Sequence, residues 1–275
     1  MFYKKIINNI LKPHKIPSKI INKIYFHYKI KNYNLKFFQD KQSKIFNKLG
    51  LNRDEGVKKL NSIKSELNLS QSREMSSEHE VLFSSISIKD KTRIKSILEI
   101  GTFDGVNALI LSKLFPNSEI DTIDLSPDDN IFKKFYNHKK PINEFVKDRD
   151  NTLSRGQKIN FFEKNSLKLI NHKKKYDLIW IDGAHGYPVV CIDIINSLNL
   201  INESGIITCD DVYLNLKQKN SDKIYNSIAT YETLNELEKL KIIKLELIFK
   251  RLNAENNCIE NNRKFVGVFE KLSSS

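Results

Sequence analysis

The chain has no apolar run near the roughly 20 residues needed to cross a bilayer, and little cysteine. Cys191, Cys209 and Cys258 are odd in number and lack metal-like spacing, so neither a disulfide framework nor a zinc site is expected, and a reducing cytoplasm is the plain inference. The start, MFYKKIINNILKPHK, carries early lysines, but Asn8 and Asn9 interrupt its apolar stretch, which argues against a cleaved signal peptide. Acidic residues are almost missing from the N-terminal part, where Asp40 is the only one before Asp54. The G-x-G-x-x-G turn that seats a pyrophosphate is absent too, which sets a dehydrogenase aside.

Lysine, asparagine and isoleucine are plentiful. Lys and Arg number 46 against 33 acids, a formal charge of +13. That balance suits nucleic acid, an anionic membrane surface or an acidic substrate, while an AT-rich coding bias would produce it without selection for charge. Aromatics interleave with lysines only in KIPSKIINKIYFHYKIKNYNLKFF, at Tyr25, Phe26, Tyr28, Tyr33, Phe37 and Phe38. This stretch reads either as an arm for an anionic partner or as a helical extension that packs on the main domain or on a second subunit of a homo-oligomer. Pro13 and Pro17 break any long helix there. The 275 residues accommodate one large α/β domain, expected over 71–275, behind a basic, mainly helical extension over 1–70.

The chain is organised around SILEIGTFDGVNALILSKLFPNSEIDTID, Ser96 to Asp124. A short apolar run ending at Ile100, a turn from Gly101 to Gly105, a helix from Val106 to Phe115 and a second strand ending on Asp124 make a βαβ unit. Gly101 and Gly105 suit a turn that brings bare backbone against a ligand. Glu99 ahead of them would repel a pyrophosphate and suits a cationic ligand, and Asp124 is placed to accept hydrogen bonds from a ribose diol. Together these residues resemble the first two motifs of class I S-adenosylmethionine-dependent methyltransferases.

The rest of the chain continues that pattern. Strands are expected at Ile159–Phe162, Tyr176–Ile181 and Gly205–Cys209, helices from Pro188 to Leu200 and from Tyr225 to Leu240, and a closing antiparallel hairpin at Ile242–Lys250 and Lys264–Glu270. Leu234, Leu237 and Leu240 are expected to face inward. The expected architecture is α/β, a Rossmann-like methyltransferase fold with a seven-stranded, mostly parallel sheet and helices on both faces. Between Asp124 and Ile159 lies a long insert with basic residues Lys139, Lys140, Lys147, Arg149 and Arg155, which face an acidic substrate or only solvent. Ser76 or Ser77 with Glu80 forms a capping-box pattern, and on the resemblance Met75 to Glu78 touch the cofactor.

Ligands of open parallel sheets bind beyond the carboxyl ends of the strands, which places Asn165 and Ser166 where an adenine is read. In this fold the fourth and fifth strands are neighbours, so Asp182 lies beside Asp210 and Asp211. Three converging carboxylates need a cation or protons, and an all-oxygen site suits Mg²⁺ or another hard divalent ion. His185, three residues past Asp182, is placed to remove a hydroxyl proton, while an Asp182 that merely caps the following helix is the plainer alternative. The D-x-x-H and D-D pair resembles metal-dependent O-methyltransferases of the catechol and caffeoyl-CoA type and the macrolide-sugar O-methyltransferases. The catechol type carries lysine where His185 stands and asparagine where Asp211 stands, so the pattern leans towards the sugar-modifying relatives.

The resemblance implies Asp182, Asp210 and Asp211 as metal ligands and His185 with Asp182 in catalysis. It implies Glu99, Gly101, Thr102, Phe103, Gly105, Asp124, Asn165, Ser166 and Asp182 around S-adenosyl-L-methionine. The expected activity is methyl transfer to a hydroxyl of a small molecule or sugar. An RNA or protein methyltransferase using the basic arm, or a non-catalytic protein of the same fold, are the alternatives, and no N-P-P-Y-like motif follows the fourth strand to support the first.

Overall fold

The computed structural model describes residues 18–70, 77–136, 140–214, 227–260 and 263–272. Met75, Ser76, Pro13, Pro17 and Lys139 lie outside them. The alternation of side chains along each strand divides the core in two. In β1 (Ser96–Ile100) Ile97 joins one apolar cluster and Leu98 and Ile100 the other. In β4 (Tyr176–Ile181) Leu178 and Trp180 face the first cluster, Ile179 and Ile181 the second. Between β1 and β4 in sequence lie β2 (Glu119–Asp124) and β3 (Ile159–Glu163). Beyond β4 come β5 (Ile201–Val212), β6 (Ile243–Phe249) and β7 (Phe265–Lys271). The sheet order is β3-β2-β1-β4-β5-β7-β6, with β1 to β5 parallel and β7 antiparallel to both neighbours. This is the seven-stranded, mostly parallel, Rossmann-like sheet expected.

Among the described residues four helices precede the sheet: α1 (Ser18–Lys31), α2 (Leu35–Lys48), α3 (Arg53–Glu66) and α4 (Glu78–Lys89). Asn34 and Asn52 cap α2 and α3 by accepting backbone N–H bonds. Phe46, Leu60, Ile63 and Leu67 share the first core cluster with Leu82, Phe83, Ile97 and Trp180, so α2 to α4 cover one face of the sheet. The remaining helices are α5 (Val106–Leu114), α6 (Asn130–Phe135), α7 (Ile142–Ser154), α8 (Val189–Leu200), α9 (Ala229–Lys239) and the single turn α10 (Ala254–Asn257). The opposite face is covered by α8 and α9 through Val190, Ile194, Leu198, Leu234 and Leu237. Leu240 departs from expectation: α9 ends one residue before it and its side chain is 68% exposed. The insert holds two helices, α6 and α7. Arg149 on α7 is buried with its guanidinium 4.1 Å from the Phe161 ring, and Arg155 donates to the Leu67 carbonyl.

Candidate active site

The carboxyl edge of the parallel strands is held together by a continuous row of polar contacts. At its β2 end, Asp124 Oδ2 accepts the Phe103 N–H at 2.8 Å and Oδ1 accepts its neighbour's, Leu125, at 2.8 Å. The turn after β1 is thereby fixed to the tip of β2. Gly101 has φ +101°, and a Cβ there would stand 2.3 Å from the Asp182 carbonyl oxygen, so the turn also presses on the tip of β4. Gly105, at φ +76°, packs on Leu153 of α7. Both glycines are therefore required by the protein's own packing, before any ligand is considered.

Glu99 lies under this turn, fully buried. Its Oε1 accepts from Asn107 Nδ2 at 2.7 Å and its Oε2 from Thr122 Oγ1 at 2.5 Å, while the Thr102 hydroxyl meets that of Thr122 at 2.6 Å. Burial pushes its pKa up to about 8, against the pull of those hydrogen bonds and helped by the negative Asp182 and Asp104. Burial likewise raises Asp124, partly offset by its backbone donors and by Arg149. On the β3 side, Asn165 caps a 3₁₀ turn (Ser166–Asn171) by accepting the Leu167 N–H at 3.0 Å. Asn165 and Ser166 are both partly exposed.

At the tip of β4, His185 is 3% exposed. Its Nε2 lies 3.5 Å from Asp182 Oδ1 and 4.0 Å from Asp211 Oδ2, and its buried Nδ1 has no hydrogen-bond partner among the described residues. Burial alone would lower the His185 pKa, but Asp182, Asp211 and Asp210 outweigh it and hold it above the usual imidazole value. Burial and the nearby Asp210 raise Asp182 in turn. Asp193 of α8 is buried behind the same turn, where burial pushes its pKa up to about 6.

Adjacent strand residues point to opposite faces, yet Asp210 and Asp211 of β5 reach the same group. The register with β7 shifts between Cys209 and Val212, and Asp211 takes the left-handed φ of +52°, which re-aims its side chain. Both carboxylates contact Lys250 Nζ, through Asp210 Oδ2 and, at 2.5 Å, Asp211 Oδ1, while Asp211 Oδ2 accepts from Lys264 Nζ at 2.7 Å. Burial would raise Asp210, but Lys250, His79 and His185 hold it well below the usual carboxylate range. Lys250 in turn is raised, since Asp210, Asp211 and Asp182 outweigh its burial.

The three aspartates thus come together as expected, and His185 with them. The cations beside Asp210 and Asp211 are two lysines that the sequence reading passed over. An ammonium already bridging Asp210 and Asp211 does not fit a divalent ion on the same oxygens, which would have to sit at about 2.0–2.6 Å from them. Among the described residues no group of three or more His, Cys, Asp or Glu is arranged to hold a metal. The signal for the lysines was present but scattered, since Lys250 and Lys264 end and begin the hairpin strands and only the β5-β7-β6 pairing brings them to the aspartates.

A family model described as a methyltransferase domain matches residues 98–212, from β1 to the end of β5. Malonyl-[acyl-carrier protein] O-methyltransferase 2 of Ilyobacter polytropus is 26% identical over 200 residues, covering 68% of this chain and 67% of that protein. Among solved structures, cofactor-bound Rv0187 from MTB superposes with a TM-score of 0.50 at 14% identity, over 78% of this chain and 88% of that one. The O-methyltransferase TomG from Streptomyces achromogenes, in complex with SAM, gives a TM-score of 0.47 at 14% identity, over 84% and 96% of the two chains.

Proposed function

We propose that the chain is a class I S-adenosylmethionine-dependent methyltransferase, a reading supported by the methyltransferase-domain match over residues 98–212 and by the 26% identical relative, and that it moves a methyl group to a hydroxyl oxygen of a small molecule or sugar. The observation that carries the oxygen acceptor is His185. It is a buried imidazole with one nitrogen facing two carboxylates and the other without a partner among the described residues, at a strand tip that touches the 101–105 turn. The relative from Ilyobacter polytropus is, by its name, also an O-methyltransferase.

When bound, the cofactor supplies an electrophilic methyl carbon on a sulfonium sulfur. In this proposal the turn of Gly101, Thr102, Phe103 and Gly105 holds its amino acid end, with Glu99 fixing the turn from beneath and Asp182 at its side. Asp124 fits the ribose: each of its oxygens accepts one backbone N–H and the side chain stays partly exposed, which leaves lone pairs for a diol. Asn165 and Ser166 border the adenine. His185 takes the acceptor's hydroxyl proton, and Asp182 and Asp211 stabilise the imidazolium that results. The divalent ion implied by the resemblance has no step here, because Lys250 engages the oxygens it would need. All three thiols are free, as a reducing cytoplasm would keep them, and the cytoplasm is the proposed setting. None of the described helices is long and apolar enough to cross a membrane.

Two measurements test this reading. Calorimetry with S-adenosylhomocysteine is expected to show one site per chain, and a panel of phenols, sugars and hydroxy acids is expected to contain an acceptor that releases S-adenosylhomocysteine. A chain that ignores the nucleoside at millimolar concentration, or that methylates only nitrogen acceptors, overturns it.

A further inference from the structure

We propose that Lys250 is the resident cation of the acceptor site, standing where a divalent ion would otherwise sit, so that methyl transfer here needs no metal. The inference rests on the proposed transfer for its catalytic meaning, while its structural basis is independent of it. Lys250 is 6% exposed, and its ammonium contacts Asp210 and Asp211 together. With Lys264 on the second oxygen of Asp211, two lysines balance Asp210 and Asp211 without any added ion. A divalent cation within coordination distance of the same oxygens would overlap the ammonium and repel it at short range.

The main chain that carries this side chain is fixed by hydrogen bonds from three segments of the chain. Lys250 N–H donates to the Lys264 carbonyl at 2.9 Å, the Lys250 carbonyl accepts the Glu78 N–H at the start of α4 at 2.9 Å, and the preceding Phe249 is clamped by Gln42 of α2. A lysine fixed at its root and paired at its tip is not a surface charge that a metal displaces by pushing it into water. Of the three N–H donors of an ammonium, Asp210 and Asp211 engage two. The third has no partner among the described residues and would meet an acceptor oxygen, where a positive charge favours loss of the hydroxyl proton to His185 as a metal would. Asp210 Oδ1 is buried and has no hydrogen-bond partner among the described residues.

Mn²⁺ is the probe, followed by the resonance of the free ion and by thermal denaturation of the full chain. The wild type is expected to leave Mn²⁺ free up to about 1 mM and to melt at the same temperature with Mn²⁺ or with EDTA. Lys250→Ala exposes the carboxylates and is expected to gain one Mn²⁺ with affinity raised roughly tenfold or more, with a Tm that Mn²⁺ now raises. Adding Asp210→Asn to that variant should abolish the gain. Should Lys250→Ala fail to fold, Lys250→Met, which keeps most of the apolar stem and removes the charge, serves the same comparison. A wild type that takes up one Mn²⁺ in the micromolar range and loses it with Asp210→Asn overturns the inference. So does a folded lysine variant that still ignores Mn²⁺. S-adenosylhomocysteine binding, measured on the same samples, reports separately on the proposed function.

Discussion

Glu99 shows what one buried side chain does to the pH dependence of this protein. Its ordinary pKa is 4.5 and its folded value about 8, so between those limits the folded chain binds a proton that the unfolded chain releases. The stabilisation from this proton is complete below pH 4.5 and is lost as pH rises through about 8. A glutamine cannot ionise and keeps the shape, so Glu99→Gln should flatten the curve. Urea denaturation at pH 5 and pH 8.5 should show the variant gaining on the order of 4 kcal/mol relative to wild type across that interval. Parallel curves would mean that Glu99 is ionised throughout. His185 makes the complementary case, because its loss should touch chemistry and spare binding. His185→Ala is expected to lower kcat by about 10²–10⁴-fold with S-adenosylhomocysteine affinity changed by less than about threefold. Equal losses in both would make it a structural residue of the turn.

At the level of elements, the edge strand β6 depends on a helix far ahead of it in the chain, through a contact between residues 207 apart in sequence. Gln42 of α2 behaves as a strand residue: Nε2 donates to the Phe249 carbonyl at 3.0 Å and Oε1 accepts the Phe249 N–H at 2.9 Å. Both groups are buried, so Gln42→Ala strands a backbone donor and acceptor and should destabilise by about 1–3 kcal/mol, read from a denaturant midpoint at unchanged m. An unchanged midpoint would show water replacing the side chain. No sequence pattern marks Gln42, because one glutamine on an amphipathic helix resembles any solvent-facing polar residue. The strands, by contrast, were readable, since β1, β2 and β4 are buried on both faces and their apolar runs are short and bounded. Boundaries slipped where pairing extends a strand: β5 begins at Ile201, four residues before the expected Gly205, because Ile201 still pairs with Tyr176. Asp182, His185, Asp210 and Asp211 were legible as one group because β4 and β5 are sheet neighbours. Lys250 and Lys264 were not, because a lysine at a strand end is the commonest of surface residues and only the hairpin's register gives it another role.

For the whole molecule, the net charge of +13 is the property that an RNA-modifying reading would call on. The fold spreads that charge unevenly. Lys250 and Lys264 are spent on buried aspartates, Lys64 on Glu80, and Arg53 on Glu78, so these cations add nothing to an outer surface. What faces outward near the aromatics is α1, where Tyr25 and Tyr28 are exposed and Lys29 lies 5.5 Å from the Tyr25 ring. If Lys23, Lys29 and Lys31 each neutralise one phosphate of a single strand, the expected log–log salt slope is about −2.1, or about an 18-fold loss of affinity between 50 and 200 mM salt. Anisotropy with a labelled RNA should therefore show weak, sequence-indifferent binding that disappears near physiological ionic strength, and charge reversal at Lys23 and Lys29 should flatten the slope. Binding that persists at 200 mM salt with a preferred sequence would need base contacts that stacking on Tyr25 and Tyr28 alone does not supply. It would move the acceptor from a small hydroxylated molecule to a nucleic acid.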